Sequence, residues 1–219
     1  MNIVVVIPAY NASSSIDELL RRTSLVHPPE QTLVVDDGSR DGTGAKALSA
    51  GVRLCTHAVN RGKGAALQTG FDYALTLGCD AVVTMDADLQ HTPEDIPRFI
   101  RLHETSRAEI IIGSRLHSMH GMPYHRRISN VLTTFLVCAR TAASIDDSQS
   151  GFRFIAAEVL RTVRITSPGF EAETEFIIKA AARQYTFASL PIATIYAGEK
   201  SAMTHWHTTK KFISVLLAD

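Results

Sequence analysis

Met85-Asp86-Ala87-Asp88-Leu89-Gln90 is the stretch of this 219-residue sequence best equipped for chemistry. Two carboxylates two positions apart, at the end of an apolar run, repel each other unless a cation lies between them. Hard oxygen ligands of this kind suit Mg²⁺ or Mn²⁺ and leave positions open for phosphate oxygens. Gln90 offers a neutral third oxygen. The competing local reading is structural: Asp86 ends a strand and Asp88 caps the next helix. Asp36 and Asp37 follow a second apolar run, where a carboxylate is commonly a turn former. Pro8, Tyr10 and Asn11 follow a third run, and Arg115 a fourth. Taken together, these residues aim carboxylates and a guanidinium at one rim.

Other stretches compete for attention. Gly42-Thr-Gly44-Ala-Lys-Ala47 matches G-x-G-x-x-A, the dinucleotide fingerprint. Three carboxylates before it would repel a pyrophosphate, and no acidic residue ends the next strand to hold a ribose. A nicotinamide enzyme is therefore disfavoured. Asn60-Arg61-Gly62-Lys63-Gly64 resembles a phosphate-binding turn, but His57 stands where a P-loop has its first glycine, and Gly64 follows the lysine. A P-loop is excluded, while Arg61 or Lys63 at a helix start can still meet a diphosphate. His117, His120 and His125 are spaced too irregularly for a metal site. Phe170-Glu171-Ala-Glu173-Thr-Glu175 reads equally as first-turn acids favoured by a helix dipole or as a carboxylate facing an acceptor.

The elements that must position these groups alternate along the chain. Ile3–Ile7 reads as a strand buried on both faces, and Leu33–Val35, Val52–Val59, Ala81–Met85 and Ile110–Gly113 read as further strands. Helical spacing separates them over Ser13–Val26, Thr43–Ala50, Gly64–Leu77 and Pro93–Arg107, the last opened by proline. This βαβ rhythm predicts an α/β fold with a mostly parallel sheet covered on both faces, and ligands sit beyond the carboxyl ends of such strands. The second half reads as a polar loop (Leu116–Arg127), a helix (Ile128–Ala143), a loop strand (Ser150–Ile155), further helices and a strand at Leu190–Tyr196. With no linker or repeat, one domain over 1–219 is expected.

Composition narrows the classes further. The 22 basic and 22 acidic residues balance, which removes the footprint of a nucleic-acid binder. With 45% hydrophobic residues the chain can bury a core. Three dispersed cysteines, Cys55, Cys79 and Cys138, suggest neither a disulfide framework nor a zinc site and fit a reducing, cytoplasmic setting. MNIVVVIPAYN reads as a first strand and not a signal peptide, and no apolar run approaches the roughly 18 residues needed to span a bilayer. The tail Trp206–Leu217, with Lys210, Lys211, Phe212 and Leu216, has the makings of an interfacial helix, although packing against the domain is the commoner fate.

In order, IPAYN (7–11), VVDDGSRDGT (34–43), NRGKGAALQTGF (60–71), MDADLQHTPEDI (85–96), GSR (113–115), RRISN (126–130), DSQSGFRF (147–154), FEAETE (170–175) and TIYAGEKS (194–201) resemble the inverting family 2 glycosyltransferases of GT-A fold. The polyprenyl-phosphate sugar synthases, such as dolichyl-phosphate mannose or glucose synthase, are the nearest in pattern. The resemblance implies a nucleotide-sugar-binding half (1–115) and an acceptor-binding half (116–219). It implies that Pro8, Tyr10, Asn11, Asp36 and Asp37 hold the nucleoside of a GDP- or UDP-hexose, with Lys63 beside the nucleotide. Asp86, Asp88 and Gln90 would bind Mg²⁺ or Mn²⁺ with the diphosphate. Arg115 and Arg127 would meet donor or acceptor phosphates, and Gln149 would line the sugar and acceptor side. The implied reaction is a single displacement with inversion onto a polyprenyl phosphate, with peripheral contact at the inner face of a membrane. A hydroxyl acceptor is the alternative; it would need a carboxylate base, and Glu173 and Asp147 are the candidates. A sugar nucleotidyltransferase should carry a Gly-rich basic loop where Pro8-Ala-Tyr-Asn stands. The intact Asp86/Asp88 pair argues against a silent binding module.

Overall fold

The computed structural model describes residues 1–115, 124–193, 212 and 214–216, with only the backbone described at 124–126. Five strands run parallel: β1 (Ile3–Ala9), β2 (Thr32–Asp36), β3 (Arg53–Thr56), β4 (Ala81–Thr84) and β5 (Ile110–Ser114), all but the partly exposed edge strand β3 built on buried apolar runs. Two later strands, β6 (Arg153–Ala156) and β7 (Phe187–Pro191), complete a seven-stranded sheet ordered β3-β2-β1-β4-β6-β5-β7. Its helices are α1 (Ile16–Ser24), α2 (Thr43–Ser49), α3 (Lys63–Thr76), α4 (Ile96–Ser106), α5 (Tyr124–Thr141), α6 (Ala157–Thr162) and α7 (Ala172–Ala182). The expected mixed α/β architecture is present.

β1 lies between β2 and β4, with Val5 opposite both Thr32 and Val83. Val4 to Ile7 are at most 1% exposed, as β-branched residues are when both faces of a strand are covered. On one of those faces α3 packs closely because Gly70 has no Cβ to strike Val6. Phe99 and Phe152 meet at a tilt with centroids 4.6 Å apart, and Phe71 meets Phe176 at 6.1 Å. These ring contacts tie the helices to the sheet's centre.

The departures from expectation lie mostly in the second half. β6 runs antiparallel, inserted between β4 and β5. Its amino end therefore meets the carboxyl ends of its neighbours, with Arg153 opposite both Thr84 and Ile112. This reversal delivers Ser148–Gly151 to the rim where the parallel strands finish. The last strand starts at Phe187, not Leu190, because its pairing with Ile110–Ser114 extends through a stretch of mixed polarity. A short 3-10 turn, Pro93–Asp95, precedes α4, so the expected helix from Pro93 begins in two steps. The third strand is shorter than Val52–Val59, since its pairing with β2 stops at Thr56. Phe212 is buried and Leu216 packs beside the same core, while Trp206, Lys210, Lys211 and Leu217 lie outside the described residues.

Candidate active site

Beyond the carboxyl ends of β1 and β4 lies a cavity of about 700 Å³. Pro8 to Ala12 form one wall, Asn60 to Lys63 another, Gly169 and Phe170 a third, and Asp86 to Asp88 line it with them. Each wall has a local cause. The chain leaving β1 turns at Asn11 (φ 50°), a left-handed position asparagine tolerates. Its side-chain oxygen accepts the Arg40 N–H at 3.0 Å, and its own N–H donates to Ser39 Oγ at 2.9 Å.

Asp37 holds the second wall in place. This buried carboxylate accepts the N–H groups of Arg61 (2.9 Å) and Gly62 (2.7 Å) and lies 2.6 Å from His57 Nδ1. The loop is thereby set at the angle from which Lys63 enters α3. Gly62 stands at φ 92°, and a Cβ there would be 2.3 Å from the Pro168 carbonyl oxygen. Asp36 is also buried, accepts the Ser39 N–H at 2.9 Å, and does not line the cavity. The structure thus gives both carboxylates partners within the loops.

At the centre, Lys63 Nζ lies 2.6 Å from Asp86 Oδ1 and 2.7 Å from Glu173 Oε1, with the Phe170 ring centroid 5.7 Å away. Burial disfavours the ammonium, but the two carboxylates more than offset this and raise its pKa. Burial likewise works against the Asp86 carboxylate, yet Lys63 and then His91 hold its pKa well below the usual range. Asp88 goes the other way. Burial, and then the neighbouring Asp86 charge, raise its pKa, and the Gln90 N–H at 3.0 Å only partly compensates. Asp88 does not cap α4, which begins eight residues later after the Pro93 turn.

Arg115 grips Asp147 with two parallel bonds of 2.6 and 2.8 Å, the fork geometry expected of guanidinium and carboxylate. Burial pushes Asp147 up, but these bonds outweigh it and its pKa is lowered. Two positions on, the Gln149 amide reaches Ser148 Oγ and Thr174 Oγ1, each at 3.4 Å. Arg127 is exposed on α5, away from the cavity lining. The side chains of Arg126 and His125, and all of His117, His120 and Thr194–Ser201, lie outside the described residues.

Two members of the cluster are poorly marked in the sequence. Glu173 contacts Lys63 directly and lies 3.9 Å from the buried Arg153; the sequence offered it as a candidate base but gave no sign of this contact with Lys63. His91 is buried against Phe152, its Nε2 3.6 Å from Asp86 Oδ2. A single histidine after a loop carries no pattern to find it by. Gly151 is the backbone counterpart: a Cβ there would stand 2.6 Å from Asp86 Oδ2. Only glycine lets β6 approach that carboxylate.

Among the described residues no three His, Cys, Asp or Glu side chains form a ready-made metal cage. The donor set instead fits an ion that takes one or two carboxylates and completes its shell with water and phosphate oxygens, as Mg²⁺ and Mn²⁺ do. Asp88 supplies a cavity-facing carboxylate whose charge lacks full internal compensation, and Asp86 a neighbouring one, while Gln90 is not among the residues lining the cavity.

Residues 4–163 match the family described as Glycosyl transferase family 2. The chain belongs to that family. A UDP-N-acetylglucosamine–dolichyl-phosphate N-acetylglucosaminyltransferase of Methanococcus voltae is 30% identical to this glycosyltransferase over 216 residues, covering 89% of this chain and 86% of the relative. A polyprenol monophosphomannose synthase of Mycolicibacterium smegmatis is 31% identical over 205 residues, covering 86% and 76% respectively. Among solved structures, glucosyl-3-phosphoglycerate synthase of Mycobacterium tuberculosis, in complex with Mn²⁺, UDP and glucosyl-3-phosphoglycerate, superimposes with a TM-score of 0.77. It is 22% identical and the match covers 98% of this chain and 78% of that one, so this glycosyltransferase shares its GT-A fold.

Proposed function

We propose that this glycosyltransferase moves a hexose from a GDP- or UDP-sugar to a polyprenyl phosphate, with inversion, using Mg²⁺ or Mn²⁺. Residues 1–115 bind the donor and 116–219 the acceptor. The observation that carries the acceptor class is the state of the two candidate bases. Asp147 is locked to Arg115, and Glu173 to Lys63 beside Arg153. A carboxylate held in an ion pair is a poor proton acceptor, which disfavours a hydroxyl nucleophile that needs a general base. A lipid phosphate arrives as an anion and needs none. The names of the M. voltae and M. smegmatis relatives, both acting on polyprenyl-type acceptors, support the same choice.

In this reading Pro8, Tyr10 and Asn11 flank the nucleoside, and Asp36 and Asp37 hold the loops around it. Asp86, Asp88 and Gln90 hold the divalent ion, which supplies Lewis-acid neutralisation of the departing diphosphate. Lys63 turns its ammonium toward the same phosphates and adds fixed positive charge where negative charge develops. Arg115 and Arg127 draw in the acceptor phosphate, and Gln149 positions the sugar. One acceptor phosphate oxygen bonds to the anomeric carbon as the bond from that carbon to the β-phosphate oxygen breaks. The electron pair leaves with the nucleoside diphosphate.

The test is a thermal-shift panel of UDP-, GDP-, ADP- and TDP-sugars, each with Mn²⁺, Mg²⁺ or EDTA. A ligand that binds only the native state raises the melting temperature by mass action. One nucleotide sugar should stabilise the protein in metal and not in EDTA, and that donor should then label a polyprenyl phosphate. Stabilisation by no donor, or transfer only to a hydroxyl acceptor, overturns the proposal.

A further inference from the structure

Among the described residues the exposed large apolar side chains are scattered singly, except on α5. There Ile128, Val131, Leu132 and Phe135 are 52%, 50%, 55% and 66% exposed. Successive helical residues are about 100° apart, so these four fall within one sector about 100° wide. Such a stripe normally faces a core, but the buried side of α5 is the opposite one, with Thr134 and Val137. Isolated surface hydrophobics need no explanation; a contiguous stripe does.

The charges on this helix say what covers the stripe. Its 18 residues include Arg126, Arg127 and Arg140 and no Asp or Glu, in a chain whose charges balance overall. On the helical wheel the exposed Arg127 flanks one edge of the apolar sector, about 40° beyond it, whereas Arg140 lies about 80° beyond the other edge. An apolar stripe edged by a cation, on a helix without an acid, suits a layer that is greasy inside and anionic at its surface. A second copy of the chain fits less well, because a two-fold contact would bring two arginine-bearing, acid-free helices together.

The stripe is also coupled to the site. On the buried side of α5, Thr134 Oγ1 accepts the Ser148 N–H at 3.0 Å. Ser148 adjoins Asp147, which holds Arg115, and Gln149. One helix thickness separates the exposed apolar face from the acceptor side.

We infer that α5 seats this glycosyltransferase on an anionic lipid bilayer, with Ile128, Val131, Leu132 and Phe135 entering the interface and Arg127 meeting lipid phosphates. The inference deepens the lipid-phosphate reading above and rests on it. The seat presents the acceptor-facing edge of the fold to the surface from which a membrane-held phosphate emerges.

The test is flotation of the full chain with phosphatidylglycerol/phosphatidylcholine vesicles. Wild type floats, and the double variant Leu132→Ser/Phe135→Ser loses vesicle affinity by roughly tenfold or more, while Leu48→Ser, which alters an exposed leucine on α2, does not. Phosphatidylcholine alone binds wild type roughly tenfold more weakly. The double variant keeps its melting temperature, its donor-induced thermal shift, and its turnover of a short, water-soluble prenyl phosphate. Equal flotation of the double variant, or none by wild type, overturns the inference. So does a wild-type dimer that the double substitution dissociates, which assigns the stripe to a second copy. Equal binding to neutral vesicles overturns the role of Arg127. Failure of the wild type to use the short prenyl phosphate would instead defeat the acceptor reading, leaving the flotation result to stand by itself.

Discussion

Two acidic pairs end two parallel strands of this sheet, and they are treated differently. Asp36 and Asp37 are buried and satisfied by backbone N–H groups and His57. Asp86 and Asp88 line the same cavity that Asp37 reaches, but one is compensated by Lys63 and the other by little beyond the Gln90 N–H. The same residue type at the same topological position is held by internal donors in one case and left short of them in the other. What separates them is how many internal donors each carboxylate already has. A carboxylate with spare acceptor capacity beside a cavity has room for something from outside.

The sharpest way to break this comparison is Asp88→Asn. It removes a ligand but little volume, so turnover should fall by roughly three orders of magnitude with an unchanged urea midpoint. Activity restored by excess metal would sink the assignment. Asp37→Asn should do the reverse, costing about 2–3 kcal/mol of stability because buried N–H groups lose their charged acceptor. Urea denaturation checks it; an inactive protein of full stability would place Asp37 with the ligands.

Arg127→Ala sharpens the division between the halves. The Michaelis constant for the lipid phosphate should rise by about tenfold, the effect of losing one charge-assisted contact, while nucleotide affinity measured by calorimetry stays put. Equal loss of both would count against an acceptor role.

The smallest effect concerns Glu175, a scaffold carboxylate of the second half. Burial raises its pKa, but Lys179, Thr166 and the Ser167 N–H more than compensate, so the folded value lies below the unfolded one. Its contribution to stability is then fully present above the unfolded pKa of about 4.3 and is lost as pH falls through the folded pKa. Glu175→Gln should be less stable than wild type at neutral pH, with the gap closing on acidification. Chemical denaturation between pH 7 and pH 3 reads this; a gap independent of pH would show that the charge contributes nothing.

Much of the first half could be read directly. Runs such as Ile3–Ile7 and Ala81–Thr84 are apolar on both faces, which only a covered parallel strand requires, and the carboxylates after them marked the rim. The second half was harder for specific reasons. Arg153–Ala156 reads as a strand, but nothing in a short apolar run records its direction, so its reversal was invisible. Phe187-Ala-Ser-Leu190 has no clean period, and its pairing comes from β5. Glu173 and His91 join the site through tertiary approach to Asp86 and Lys63, a contact with no local spacing. Asp147 was legible as a polar residue of interest, but its grip on Arg115 was not.

The reversed strand β6 has a consequence for anyone hoping to recombine such enzymes. Chain from beyond residue 150 supplies the strip that joins β4 to β5, and Gly151 presses on Asp86. A polypeptide ending near residue 115 would lack both β6 and β7, leaving one hydrogen-bonding edge of β4 and both edges of β5 bare and the Asp86 loop unsupported. Such edges are sites for pairing with another chain. Grafting a different second half onto residues 1–115 therefore means grafting the middle of the sheet as well. The natural exchangeable parts are the loops and helices around β6, with the strand and its glycine kept.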